Sequence, residues 1–381
     1  MTPSDDAPVH NVPLDPYQRL LRHAKAQRRL LSVHWELTHR CNERCIHCYL
    51  DVLPPRARPV DELTTAECIA VLDQLAALGA LHLTLSGGEL FVRRDWYALA
   101  TAAHARRFVL RIFTNGLAIT PARAAQLAAL QPYAVEISVY GADAATHDAV
   151  TQLPGSFART RRAFGLLATH GLRTILKTPL LASNIAQFDA LRSLAAELHA
   201  GFRCDPLLTP KRSGDDAPLR SAPRYADLVT HYRRTLDAAP PTTAPGCRLC
   251  NVGHNALAIA PNGDIYPCLE LPIAVGNVRH TSLAELWAQA PRWETLTSLR
   301  AETLAACRDC ALGALCGRCH GLARQATGNL HAPSPLNCTQ ALARRQALIE
   351  RKLASPESLP LNAHLATLHR RLESDATRLP A

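Results

Sequence analysis

The cysteines of this chain are grouped, and the grouping suits metal ligation. Cys41, Cys45 and Cys48 stand in Cys-Asn-Glu-Arg-Cys-Ile-His-Cys. Three thiolates can bind three irons of a four-iron four-sulfur cluster and leave the fourth iron without a protein ligand, open to something else. A second set follows far downstream: Cys247, Cys250, Cys268, Cys307, Cys310, Cys316, Cys319 and Cys338. Eight thiolates suffice for two complete clusters of the same kind. Zinc is the competing tenant at both places, because Cys-x2-Cys pairs suit it equally and His39 or His47 can supply a fourth ligand to the first set. Of the thirteen cysteines, Cys68 and Cys204 are left over. Cys68 shares a helix face with Val71, Leu72, Leu75 and Leu78, and both thiols read as packed apolar groups.

The elements that must position these residues alternate. Short β-rich runs are expected at 31–38, 81–85, 108–113, 134–139, 172–178 and 201–208, with helices at 64–78, 95–106, 121–130, 157–170 and 184–199. Six βα units in sequence imply a parallel sheet with helices outside, and periodicity alone does not separate a partial barrel from a doubly wound sheet. The polar motifs all follow strands directly, at the end where α/β barrels collect their chemistry. The cysteine loop follows the first strand and Ser86-Gly87-Gly88-Glu89 the second. Thr114-Asn115-Gly116 follows the third, and Ser138 ends the fourth. Gly87 and Gly88 let the backbone approach a ligand closely, with a plain tight turn as the alternative. Glu89 can accept hydrogen bonds from an ammonium group. Asn115 is a candidate ribose or substrate contact beside a standard Asn-Gly turn signal. Lys177 ends an apolar strand in a chain whose other lysines are only Lys25, Lys211 and Lys352, so it is a candidate for a ligand carboxylate. A solvated strand end is its alternative.

Composition limits the partners. A chain of 381 residues with 48% hydrophobic residues can bury a core. The formal charge of +10 invites nucleic acid, but three clusters would take back about five units, and no aromatic-interleaved basic stripe offers a stacking platform. No signal peptide or membrane span is apparent, which places the chain in the cytoplasm, where thiols stay available for metals. Residues 15–30 read as a basic helix, suited to an acidic peptide or simply solvated. Residues 206–245 turn polar and proline-rich, with 239–245 as a linker. The expected division is therefore an extension over 1–30, a barrel over 31–210, a bridging helix and linker over 211–245, a cysteine-rich domain over 246–340, and a helix with a mobile tail over 341–381. Within the fourth, Asn262-Gly263 between two apolar runs predicts a β-hairpin that carries Cys268 back toward Cys250.

The cysteine loop together with Gly87-Gly88-Glu89 resembles the radical S-adenosylmethionine enzymes, and the later cysteine spacing resembles their SPASM extension. Where that family commonly has proline after the glutamate, this chain has Leu90. The resemblance, over about residues 31–340, implies a partial (β/α)6 barrel followed by a small domain with a hairpin and helices. It implies three four-iron clusters, at Cys41, Cys45 and Cys48, at Cys247, Cys250, Cys268 and Cys319, and at Cys307, Cys310, Cys316 and Cys338. It further implies S-adenosylmethionine held with the help of Gly87, Gly88, Glu89, Asn115, Ser138 and Lys177. Its reductive cleavage would give a 5'-deoxyadenosyl radical that abstracts hydrogen from an unactivated carbon, and Glu270, just past Cys268, is the candidate base, with surface solvation as the alternative. Relatives with this extension mostly modify ribosomally made peptides, so a peptide maturase is expected. A formylglycine-type sulfatase maturase or a small-metabolite enzyme is the alternative, and a zinc or iron-sulfur scaffold binding nucleic acid is the reading from another class. About thirty residues precede the first strand, too few for the winged-helix module that often grips a leader peptide. Leader recognition is then expected from a separate partner protein or the barrel mouth, and electrons from a donor such as flavodoxin or ferredoxin.

Overall fold

The computed structural model describes residues 15–59, 61–238, 250, 252–288, 290–300 and 303–374. Cys247 and the expected linker at 239–245 lie outside the described residues. Helix α1 (Pro16–Ala26) starts at Asp15, whose carboxylate accepts from the Gln18 N–H at 2.7 Å. Strands and helices then alternate: β1 (Ser32–Glu36), α2 (Thr65–Ala77), β2 (His82–Ser86), α3 (Trp96–Ala105), β3 (Val109–Thr114), α4 (Pro121–Leu130), β4 (Ala134–Ser138), α5 (Ala144–Thr151), α6 (Ser156–Ala168), β5 (Thr174–Pro179), α7 (Phe188–Glu197) and β6 (Gly201–Asp205). Each of β1 to β5 pairs in parallel with the next in chain order. This is the sheet of a partial TIM-type barrel, as expected.

Strand pleating divides the residues between two faces. Val33, Trp35, Leu83, Leu85, Leu110, Ile112, Val135 and Ile137 join Leu72, Leu75, Leu99, Leu127 and Phe164 of the helices in one apolar core. The alternate residues, His34, Glu36, Arg111, Glu136 and Lys177 among them, face inward. Cys68 is fully buried in the core, and Cys204 packs outward against Leu180 and Leu228. Helix α5 is an addition to the expected elements. Its start is signalled by Asp143, which accepts from the Thr146 N–H at 2.8 Å, but its eight residues are too few for a clear period.

Beyond α8 (Tyr225–Thr235) come β7 (Ala256–Ile259), β8 (Asp264–Tyr266), β9 (Gly276–Asn277), α9 (Leu283–Ala288), α10 (Ala290–Thr297), α11 (His320–Thr327), α12 (Pro335–Glu350) and α13 (Ala363–Ser374). The hairpin forms where Asn262-Gly263 predicts it, with Ile259 opposite Ile265 and Gly263 at φ +89°. Its first strand, however, pairs in parallel with β1, Ser32 with Ala256 through Trp35 with Ile259. One nine-stranded sheet, β6-β5-β4-β3-β2-β1-β7-β8-β9, therefore runs from the barrel into the cysteine-rich region. The charged helix expected after Cys338 is present as α12, and the stretch beyond it carries a further helix, α13. Helix α12 buries Leu342, Ala343, Arg345, Ala347 and Leu348, and Leu365, Leu368 and Leu372 of α13 pack onto it. Residues 375–381 lie outside the described residues. Among the described residues, no helix is long and apolar enough to cross a membrane.

Candidate active site

The cysteine loop lies directly against the turn after β2. Gly88 N–H donates to the Thr38 carbonyl at 2.8 Å and Glu89 N–H to the Arg40 carbonyl at 2.9 Å. A Cβ on Gly87 would stand 2.3 Å from the Thr38 oxygen, and one on Gly88 2.5 Å from the Arg40 oxygen. What the two glycines admit closely is thus the chain's own segment leading into Cys41. Because both obstacles are backbone, Gly88→Ala is expected to displace that segment, destabilise the protein by about 3 kcal/mol and lower its retained iron. Iron content after anaerobic reconstitution and the urea midpoint check this; full iron with an unshifted midpoint would contradict it. Leu90 opens a short 3₁₀ turn to Val92, and the Glu89 carboxylate caps it by accepting from the Phe91 N–H at 3.1 Å.

Glu89 is buried and holds the neighbouring strand end as well. It accepts from the Thr114 hydroxyl and from the Asn115 N–H, both at 2.8 Å. Burial raises its carboxyl above the ordinary range, opposed by the Asn115 and Phe91 N–H groups and the Thr114 hydroxyl. The Asn115 amide donates to the Asn42 side chain at 2.7 Å, which ties the end of β3 to the cysteine loop. Ser138 lies beside Tyr140, whose ring meets His47 edge-on at 4.6 Å between centres.

The thiols converge in three groups. Burial pushes Cys41 up to about 12 and raises Cys45 and Cys48, and Cys48 adds to the shift of both others. Burial likewise raises Cys268 and Cys319, with Glu270 and Cys250 adding to both. Cys316 is pushed up to about 11 and Cys338 to about 12, again first by burial and then by Cys307 and Cys310. Raised in this way, the thiols hold their protons until a metal displaces them, so iron binding would release protons. Backbone N–H groups already point at several of them: Glu43 at Cys41, 3.4 Å away, Glu270 at Cys268, Leu312 at Cys310, and Gly321 and Leu322 at Cys319. Such donors stabilise cluster thiolates, so the donor set fits iron-sulfur clusters. Among the described residues, no three His, Cys, Asp or Glu side chains converge tightly enough to hold a single metal ion.

The inner face holds functional residues that sequence reasoning did not name. Glu36 is fully buried, and Arg212 donates to both its oxygens, at 2.8 and 3.1 Å. The Tyr49 hydroxyl donates to it at 2.6 Å, and His39 lies 3.4 Å away. The Arg212 guanidinium also lies over the rings of Tyr49 and Tyr266. Glu270 faces this network: burial raises its carboxyl, Arg212 opposes the shift, and Glu36 adds to it. Its backbone is clamped by α11, where a Cβ on Gly321 would stand 2.2 Å from the Glu270 oxygen and where Gln325 donates to that oxygen. Glu270 as a whole is half-buried. Lys177 lies 3.9 Å from Glu136 and 3.8 Å from the centre of the Phe113 ring. A signal was available: His34 and Glu36, Arg111, and Glu136 stand at alternate positions inside strands that a parallel sheet should make apolar on both faces.

Comparison with known proteins agrees with this geometry. Residues 35–194 match the radical SAM superfamily, and residues 250–311 match an iron-sulfur cluster-binding domain. The chain is 30% identical to the mycofactocin maturase MftC of Mycobacterium tuberculosis over 350 residues, covering 85% of this chain and 86% of that one. The chain belongs to the radical SAM superfamily. This radical SAM enzyme is also 27% identical to the AdoMet-dependent heme synthase of Methanosarcina barkeri, over 79% of this chain and 94% of that one. To the PqqA peptide cyclase of Rhizobium meliloti it is 27% identical, over 86% and 92%. Its fold matches Streptococcus suis SuiB, solved bound to the precursor peptide SuiA, with a TM-score of 0.62 and 17% identity over 88% of this chain and 83% of that one. Iron-sulfur clusters and S-adenosylmethionine binding come with both matched families. Cys316, Cys319 and Cys338 lie beyond the second matched stretch.

Proposed function

We propose that this radical SAM enzyme is a peptide maturase, which oxidatively crosslinks or otherwise modifies a ribosomally made peptide inside the barrel. The observation that carries the reading is the similarity, over most of the chain, to the mycofactocin maturase MftC and the PqqA peptide cyclase. Cys41, Cys45 and Cys48 would hold the first cluster. Cys250, Cys268 and Cys319 with Cys247 would hold a second, and Cys307, Cys310, Cys316 and Cys338 a third. When bound, the first cluster and S-adenosylmethionine supply the one-electron cleavage that yields methionine and a hydrogen-abstracting 5'-deoxyadenosyl radical.

The chain's own residues orient and exchange protons. Gly87, Gly88 and Glu89 would present the turn that receives the methionine end. Glu89 has about one of its four acceptor positions left for the ammonium group. Asn115 and Ser138 would line the ribose side. The Glu270 carboxylate would take the proton that the substrate loses as it is oxidised, since its burial beside Cys268 raises its basicity. Glu270→Gln is accordingly expected to lower modified product formed per 5'-deoxyadenosine about 100-fold or more, with part recovered in Glu270→Asp. A ratio equal to the wild type would remove Glu270 from the chemistry.

The similarity to PqqA peptide cyclase and to MftC favours a peptide, and that to heme synthase favours a small metabolite as the second reading. A flavodoxin or ferredoxin would supply electrons, and a separate protein or the barrel mouth would recognise a leader. The test is anaerobic reconstitution with iron and sulfide counting, then dithionite and S-adenosylmethionine with candidate precursor peptides. About twelve irons per chain, 5'-deoxyadenosine and a peptide mass change are expected. Stoichiometric zinc without cleavage would overturn the reading.

A further inference from the structure

Four consecutive strands place charged residues on the inner face. Glu136 of β4 is fully buried, and the Arg111 guanidinium of β3 donates to one of its oxygens at 2.8 Å. Arg203 of β6 lies 3.5 Å from that same oxygen, and the Lys177 ammonium of β5 lies 3.9 Å from the other, which accepts no hydrogen bond. Lys177 and Arg203 are register partners, so they point to the same side. Among the described residues, neither forms an ion pair of 4 Å or less with any carboxylate but Glu136. Glu270 and Asp205 are the other carboxylates that face Lys177; Glu270 also faces Arg212, and Asp205 faces Arg344. Three cations thus share one buried carboxylate. Burial lowers the Lys177 ammonium most, with Arg203 and Arg111 adding to it and Glu136 and Glu270 opposing.

Two of the cations that share Glu136 are open rather than sealed. The side chains of Lys177 and Arg203 are 39% and 50% exposed. Strand β6 is a sheet edge whose inward residues Gly201, Arg203 and Asp205 are exposed while its outward ones pack. Guanidinium and ammonium groups left partly unpaired in a low-dielectric recess are suited to a carboxylate, which Arg203 can bind through two parallel hydrogen bonds.

Resting on the peptide reading above, we propose that Lys177 and Arg203, backed by Arg111, form an anion subsite that anchors a carboxylate of the substrate peptide, either its C-terminus or an acidic side chain. Lys177 then serves the substrate rather than S-adenosylmethionine. The test uses the full anaerobically reconstituted chain and fluorescence anisotropy. The probes are fluorescein-labelled hexapeptide pools of randomised neutral residues with a free C-terminus, with an amidated C-terminus, or amidated with one aspartate. The free-acid pool, the aspartate pool or both are expected to bind at least tenfold more tightly than the neutral amide, and which of them does so identifies the source of the carboxylate. Arg203→Gln and Lys177→Gln should each remove that preference, and Arg203→Lys should restore part of it, with iron content equal to wild type certifying the fold. Equal binding of all three pools, or a preference that survives both Gln variants, overturns the subsite. If no pool binds, the peptide reading falls, and pyrenebutyrate against its neutral amide decides the subsite. A tenfold preference lost in Arg203→Gln keeps it, and no preference removes it.

Discussion

Cys45→Ala is expected to abolish 5'-deoxyadenosine formation, a loss of at least about 1000-fold, and to lower iron from about twelve to about eight per chain. Cys45 is half-buried beside Cys41, Cys48 and Glu43, so removing it leaves two thiolates for three irons. No other cysteine lies in that loop to replace it. Cys68→Ala is the packing control because that thiol is fully buried and belongs to the apolar core, where it meets the Leu63 carbonyl and the Arg93 guanidinium. Its loss should cost about 1–2 kcal/mol of stability and no iron. Counting iron and deoxyadenosine in both variants separates ligation from packing. Wild-type cleavage in Cys45→Ala would remove the cysteine loop from the chemistry.

The strands and helices were legible because they are local events, an apolar run, a cap, a period, whereas their closure as a barrel rather than a doubly wound sheet was implied only by the motif resemblance. The hairpin was legible because Asn262-Gly263 is a turn signal that needs no partner. The cysteine groups could be read from number and spacing, though spacing alone left zinc open. Long-range pairing could not be read. The attachment of β7 to β1 joins residues more than 200 positions apart, and nothing in Ala256–Ile259 names Ser32–Trp35 as its partner. Glu36 and Arg212 are 176 positions apart, and each looks ordinary alone. The paired glycines illustrate a different limit. Their type announces a close approach, but only the fold shows that the Thr38 and Arg40 carbonyls approach them.

Arg212→Met should destabilise the protein by about 3–5 kcal/mol, because it leaves the Glu36 carboxylate buried without its bidentate partner. In the native state, burial works to raise the Glu36 carboxyl, but His39, Arg212 and Tyr49 more than offset it and hold it at about 2, against an ordinary 4.5. That difference corresponds to about 3 kcal/mol of linked stability. Since the folded value is the lower one, this stability is fully present above about pH 4.5 and is lost as pH falls toward 2. Neutral pH is therefore where the wild type has most to lose. Removing the charge together with its partner, in Arg212→Met/Glu36→Gln, should recover most of the loss, because the penalty belongs to the unpaired carboxylate. Urea midpoints at pH 7 followed by tryptophan fluorescence measure this, with Trp35 next to Glu36 buried in the core. A single-variant deficit under 1 kcal/mol, or a double variant no better than the single, would show that the pair is incidental. A recovered double variant that still forms 5'-deoxyadenosine but little product would separate two roles. Stability would then come from pairing, whereas product would depend on the Arg212 charge that faces Glu270 between the two thiol groups.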